Sequence, residues 1–302
     1  MKSKNRLLVI VGPTASGKTK LSVDVALATG GEIVNADSVQ LYAGMDIGSA
    51  KATLAERRGV THHLLDVLDV TDEASVAQFQ QLARSAIDSI QAVGAPAILV
   101  GGSSLYVRAV IDPLDFPGTD PALRAHWTEQ LHRLGSEQLH QILAERDPAA
   151  AHQILPSNGR RIVRALEVGE LTGEPFVATL PDYQSIYPNL TMVGLDVDRA
   201  VLDERIDQRV DQMWADGLVE EVESLPGLAG SLTASRALGY QQVLAFLAGD
   251  LTAEEAQAEI KSGTKKFARR QDRMMRKDPR INWIEYDSPN AVEQVLRLVD
   301  SS

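Results

Sequence analysis

The chain opens on a continuous apolar run, RLLVIV at residues 6–11, the pattern of a strand buried on both faces of a parallel sheet. A glycine-containing turn follows, then a helical pattern over residues 18–28. A second apolar run, 32–36, ends at Asp37, and residues 37–59 read as a polar, glycine-containing loop. Between 75 and 93, Val76, Phe79, Leu82, Ala83, Ala86, Ile87 and Ile90 fall on one helical stripe and predict an amphipathic helix packed on the sheet. Residues 97–100 form another buried strand, closed by Gly101-Gly102-Ser103-Ser104 and a short helix starting near Leu105. Strand, turn and helix repeated in this way predict a parallel, doubly wound α/β core.

The pattern changes at DPLDFPGTDP, residues 112–121, whose three prolines and one glycine predict a linker. From 122 to about 172 only helical spacing occurs. Strand character returns at 191–196, a long helix spans 252–275, and 282–286 reads as a last strand. The expected organisation is an α/β core at 1–115 and 190–302, with a helical insertion at 116–189.

Composition adds few constraints. With 44% hydrophobic and 24% charged residues in 302, the chain can bury a sizeable core. It has no cysteine, which excludes disulfides, thiol nucleophiles and thiolate zinc sites. The apolar run after the basic start is too short for a signal sequence or a membrane span, so a cytoplasmic protein without membrane attachment is expected.

Charge is more informative. Residues 261–280 hold nine basic against two acidic side chains and so carry +7, which leaves −18 on the rest of a chain whose total is −11. A charge run is ordinarily a solvated helix face. Segregation on an acidic background points instead to a local surface for a polyanion.

The strongest local signal is GPTASGKT: Gly12, Pro13, Thr14, Ala15, Ser16, Gly17, Lys18 and Thr19. It fits G-x-x-x-x-G-K-[ST] directly after a buried strand and opening a helix, the context of a P-loop NTPase-like core. Its backbone N–H groups and the helix N-terminus can grip a phosphate, Lys18 adds a cation, and Thr19 can ligate Mg²⁺. An ATPase, a kinase and a diphosphate-releasing transferase would all use such a loop. Asp37 and Ser103 follow neighbouring strands and are expected on the same sheet edge as the loop, where ligands of open parallel sheets bind. Taken alone, each reads as a turn or cap residue.

Together the blocks GPTASGKT (12–19), NADSVQLYAGMDIGSAK (35–51), HHLLD (62–66), VGGSSLY (100–106), RRIVRALEV (160–168), SRALGYQQ (235–242) and TKKFARRQ (264–271) resemble, in order, the tRNA dimethylallyltransferases, of the bacterial type without a zinc finger. The resemblance implies transfer of a dimethylallyl group from dimethylallyl diphosphate to the exocyclic amine of the adenosine 3′ to a tRNA anticodon. It implies Mg²⁺ as cofactor, a monomer, and Asp37 as the general base that this weakly nucleophilic amine needs. Lys18 and the loop would stabilise the leaving diphosphate. Ser103, which stands where the family has threonine, would bond the bridging oxygen, and Arg236 would lie near the diphosphate.

Implied contacts with the tRNA anticodon stem-loop are Asp37, Ser38, Val39, Gln40, Ser103, Arg124, Arg160, Arg161, Arg164, Arg236, Gly239, Tyr240, Arg269, Arg270, Gln271, Arg273 and Arg276. Relatives carry an aromatic pair where this chain has Met274 and Met275, which are expected to face the interior. His62 and His63 match a family block and are assigned to structure. Two other activities share the loop: an adenylate isopentenyltransferase, disfavoured by the arginine-rich blocks, and a nucleoside or metabolite kinase.

Overall fold

The structure, a computed structural model, describes residues 6–176 and 182–301. Its centre is a six-stranded, all-parallel sheet built from β1 (Arg6–Val11), β2 (Glu32–Asn35), β3 (His62–His63), β4 (Ala97–Gly101), β5 (Asn189–Asp196) and β6 (Ile281–Glu285), in the order β3-β2-β4-β1-β5-β6. β1 lies between β4 and β5, which explains its unbroken apolar run: both of its faces are covered. Leu7, Val9 and Val11 enter one core, whereas Leu8 and Ile10 enter the other, following the two-residue period of a strand.

The helices are α1 (Lys18–Thr29), α2 (Leu54–Arg57), α3 (Val76–Ala92), α4 (Ser104–Ile111), α5 (Pro121–Leu134), α6 (Ser136–Arg146), α7 (Pro148–Gln153), α8 (Gly159–Thr172), α9 (Arg199–Ala215), α10 (Leu218–Glu223), α11 (Tyr240–Leu247), α12 (Ala253–Met275) and α13 (Ala291–Ser301). α1 and α13 cover the Leu8/Ile10 face through Leu21, Val25 and Val295. α3 and α4 cover the other face through Phe79, Ala83, Ile87 and Val110.

One detail of the α3 stripe departs from expectation: Leu82 is exposed and Gln80 is buried. The reason is polar. Gln80 Nε2 donates to the Ala109 carbonyl at 2.7 Å, and Arg84 donates to the carbonyls of Ala109, Val110 and Asp112, so α3 satisfies the open C-terminal end of α4.

The described chain divides into two compact units, Met1–Asp112 with Tyr183–Ser302, and Pro113–Asp182. Asp112 ends the first passage through the larger unit. It is fully buried between Arg108 Nε (2.5 Å) and Arg280 Nη1 (2.7 Å), and both guanidinium groups lie over the Tyr183 ring, where the chain re-enters. The smaller unit has its own core of Trp127, Leu139, Leu143, Ile154 and Ile162. Asp-Pro pairs start two of its helices: Asp120 and Asp147 accept N-cap bonds ahead of Pro121 and Pro148. Within this unit Arg124 and Arg164 both hold Glu167, whose side chain is fully buried. The final residues of the 116–189 insertion predicted from sequence include 177–181, which lie outside the described residues.

Candidate active site

The phosphate-loop sequence forms the turn from β1 into α1. Gly17 holds φ at +100°, a left-handed conformation that a side chain would strain, and so aims the first N–H groups of α1 at the loop's interior. Lys18 Nζ donates to the Pro13 carbonyl at 2.7 Å. Ser16 Oγ is buried in the loop and has no partner among the described residues. Burial, helped by the nearby Arg209 cation, lowers the Lys18 ammonium to about 7, against the pull of Asp37.

Asp37 follows β2. Its Oδ1 accepts the Val39 N–H at 2.9 Å, an Asx turn that fixes the carboxylate. Burial raises its pKa above the ordinary carboxylate value, opposed by the Val39 bond and by Lys18. Ser103 follows β4 and caps α4, its Oγ accepting the Tyr106 N–H at 3.4 Å. The turn and cap roles that these residue types suggest are therefore both present, and neither removes the side chain from the site.

Two cavities meet here. The first, about 580 Å³, is lined by the loop residues Gly17, Lys18 and Thr19, with Asp37, Arg205 and Arg209. The second, about 540 Å³, has Asp37, Ser103 and Arg236 together with the apolar Val39, Val210 and Phe267. Thr14, Asp37, Arg209, Met213 and Gln271 line both, so the cavities join at Asp37. No group of three or more His, Asp or Glu side chains able to hold a metal occurs among the described residues. Thr19 is exposed into the phosphate cavity. One hydroxyl beside a polyphosphate grip fits Mg²⁺, which typically takes one or two protein oxygens and completes its shell with phosphate oxygens and water.

The remaining residues proposed from sequence separate into groups. Ser38, Val39 and Gly239 line the second cavity, and Gln40 lines the first. Arg236 ends the short turn that leads into α11 and lies on the second cavity, whose wall also includes Thr14 of the loop. Tyr240 is corrected to a packing residue: it is fully buried and its hydroxyl donates to Glu221 at 2.6 Å. Gln271 is buried and accepts the Thr14 N–H at 2.9 Å. The guanidinium groups of Arg124 and Arg164 are engaged by Glu167, whereas Arg160 and Arg161 are exposed. Met275 is buried as expected, but Met274 is exposed. His63 bonds Glu32 at 2.6 Å across adjacent strands, and His62 bonds the Val60 carbonyl.

The basic cluster of α12 is half neutralised. Arg269, Lys265 and Lys261 pair with Asp203, Asp207 and Asp211 of α9 at 2.8, 2.7 and 2.5 Å. Both sets step by four residues in opposite directions, a ladder between antiparallel helices. Arg276 pairs with Asp196 and Asp272. Lys266, Arg270, Arg273 and Lys277 are exposed and form no ion pair among the described residues. Sequence reading missed Arg205 and Arg209. Their signal is the i,i+4 spacing that sets two arginines apart from the acidic face of the same helix.

A parallel sheet with a phosphate loop, whose cavity opens past a carboxylate into a second, partly apolar cavity, defines an enzyme that acts on a polyphosphate compound and a second substrate. The family model described as IPP transferase matches residues 40–278. The chain is 56% identical over 300 residues to the tRNA dimethylallyltransferase of Thermobifida fusca, covering 97% of this chain and 94% of that one. It is 59% identical over 281 residues to the enzyme of the same name from Streptomyces coelicolor, covering 92% and 90%. Among solved structures, the tRNA isopentenylpyrophosphate transferase of Bacillus halodurans aligns over 99% of this chain and 95% of that one, with TM-score 0.72 and 39% identity. A eukaryotic dimethylallyltransferase, described as acting on tRNA, aligns over 97% and 78%, with TM-score 0.83 and 25% identity. The chain belongs to the IPP transferase family, the tRNA dimethylallyltransferases, and is a prenyltransferase.

Proposed function

We propose that the protein transfers the dimethylallyl group of dimethylallyl diphosphate to the exocyclic amine of the adenosine 3′-adjacent to a tRNA anticodon. The observation that carries this reading is the position of Asp37, on the wall of both cavities where they meet. A diphosphate held by the loop, with its allyl group directed at that junction, would meet a base entering from the second cavity. The carbon–oxygen bond to diphosphate breaks as the nitrogen–carbon bond forms, and Asp37 accepts the amine proton. Its raised pKa makes the ionised carboxylate a stronger acceptor for that proton than an exposed one.

Lys18 and Arg209, with the loop N–H groups, stabilise the charge left on diphosphate. Thr19 would hold Mg²⁺, which supplies further neutralisation of the leaving group when bound. Ser103, on the wall of the second cavity with Asp37, would bond the bridging oxygen. The target adenosine must leave its stack to enter a cavity of this kind, and Lys266, Arg270 and Arg236 on the second cavity are placed to receive the backbone around it.

Incubation with unmodified tRNA, labelled dimethylallyl diphosphate and Mg²⁺ should place label in tRNA. Asp37→Ala should lower turnover by about 10² or more and leave tRNA affinity unchanged. Label in AMP instead of tRNA, or turnover of ATP, overturns the proposal.

A further inference from the structure

We infer that Gln271 and Arg205 are positioning residues that fix the rim of the phosphate loop from two sides, and that Gln271 acts on the diphosphate end of the reaction rather than on the tRNA backbone. The inference rests on the proposed function and assigns residues to it. Gln271, on the basic helix α12, takes the Thr14 N–H on its Oε1 at 2.9 Å. One residue further along the loop, Arg205 of α9 donates from Nε to the Ala15 carbonyl at 2.8 Å. Consecutive residues of the loop are thus held by two helices, and those helices are zipped together by the three ion pairs of the Asp203/Asp207/Asp211 ladder.

The packing around Gln271 is equally specific. A Cβ on Gly102 would fall 2.4 Å from Gln271 Nε2, so the glycine after β4 leaves room for the Gln271 amide. Gln271 is 6% exposed, and what it shows faces the two joined cavities. A residue so enclosed, with its acceptor on the loop backbone, is poorly placed to read an RNA surface. It is well placed to set where the Thr14 and Ala15 peptide groups point, and therefore the shape of the grip on diphosphate. The exposed neighbours Arg270 and Arg273 remain for the RNA.

The test uses the full chain with Gln271→Met, which keeps the volume and removes the acceptor, and Arg205→Gln, which releases the rim from the other helix. Affinity for inorganic diphosphate with Mg²⁺ is measured by calorimetry. KM for dimethylallyl diphosphate and Kd for tRNA are measured separately. Each variant should weaken diphosphate binding and raise the diphosphate KM about tenfold, the factor an ordinary hydrogen bond is worth, with tRNA Kd within about twofold of wild type. General destabilisation would lower the active fraction and leave both constants of the surviving enzyme unmoved, and that result overturns the inference. So does a weakened tRNA Kd with intact diphosphate binding. If Gln271→Met does not fold, unchanged diphosphate affinity in Arg205→Gln rejects the two-sided hold. A wild-type protein that binds no diphosphate would overturn the proposed function itself, whereas wild-type binding that the variants leave unchanged overturns only this inference.

Discussion

Lys18 and Asp37 are perturbed in opposite senses by one cause, removal from water, and each partly offsets the other. As the proposed base, Asp37 would work only when ionised, so kcat/KM for dimethylallyl diphosphate should fall on acidification already above the ordinary carboxylate range. The cation works only when protonated. Its lowered pKa in the free protein means that kcat/KM should also fall as pH rises through about 7. Diphosphate favours the charged ammonium, so its binding at pH 8 should take up about one proton, read as a buffer-dependent binding enthalpy and missing in Lys18→Met. Equal proton uptake in that variant would remove Lys18 from the alkaline limb. Lys18 was legible from the phosphate-loop motif that follows the first apolar run, and Asp37 because it directly follows the second. Arg205 and Arg209 were not, because their i,i+4 spacing marks a separate basic face of the helix but not what it faces, and the loop is 190 residues away for Arg205.

At the level of elements, the basic helix was visible as a charge run, but its division of labour was not. The acids that take Lys261, Lys265 and Arg269 lie on α9, some 58 to 66 positions earlier for the latter two, and only tertiary packing brings them together. The stripe left without ion pairs among the described residues is Lys266, Arg270 and Arg273, at i, i+4 and i+7, and it is the part of the helix that the proposed function gives to RNA. Arg270→Ala with Arg273→Ala should therefore lower the slope of log Kd for tRNA against log salt by about 0.7 to 0.9 per residue. Arg269→Ala, whose partner is Asp203, should change it less. A larger effect from Arg269 would place the ladder on the RNA side. Short or late elements were illegible for a different reason. β3 has two residues, too few for a period, and α13 follows the last strand without a motif to announce it.

Across the molecule, the parallel core was readable from three strand–turn–helix repeats and the helical insertion from a run of 3.6-residue spacing. Each unit has a core of its own, and each has a charge buried inside it. Glu167→Ala would leave Arg124 and Arg164 without their shared carboxylate. Both are partly exposed, so the cost should be about 2–3 kcal/mol, below that of a fully buried pair. Hydrogen exchange should report the loss of protection within residues 121–172 and none in the sheet. Loss of protection in β1 instead would show the two units to unfold as one.

The ladder between α9 and α12 has an electrostatic consequence as well. It cancels part of the positive field on a body that is otherwise strongly anionic, so the unpaired cations of α12 carry most of the attraction left for a phosphate backbone. With tRNA bound as proposed, the three acids would confine the attraction to RNA that lays one backbone along the unpaired cations, so Asp203, Asp207 and Asp211 would act on which RNA is held and not only on the fold.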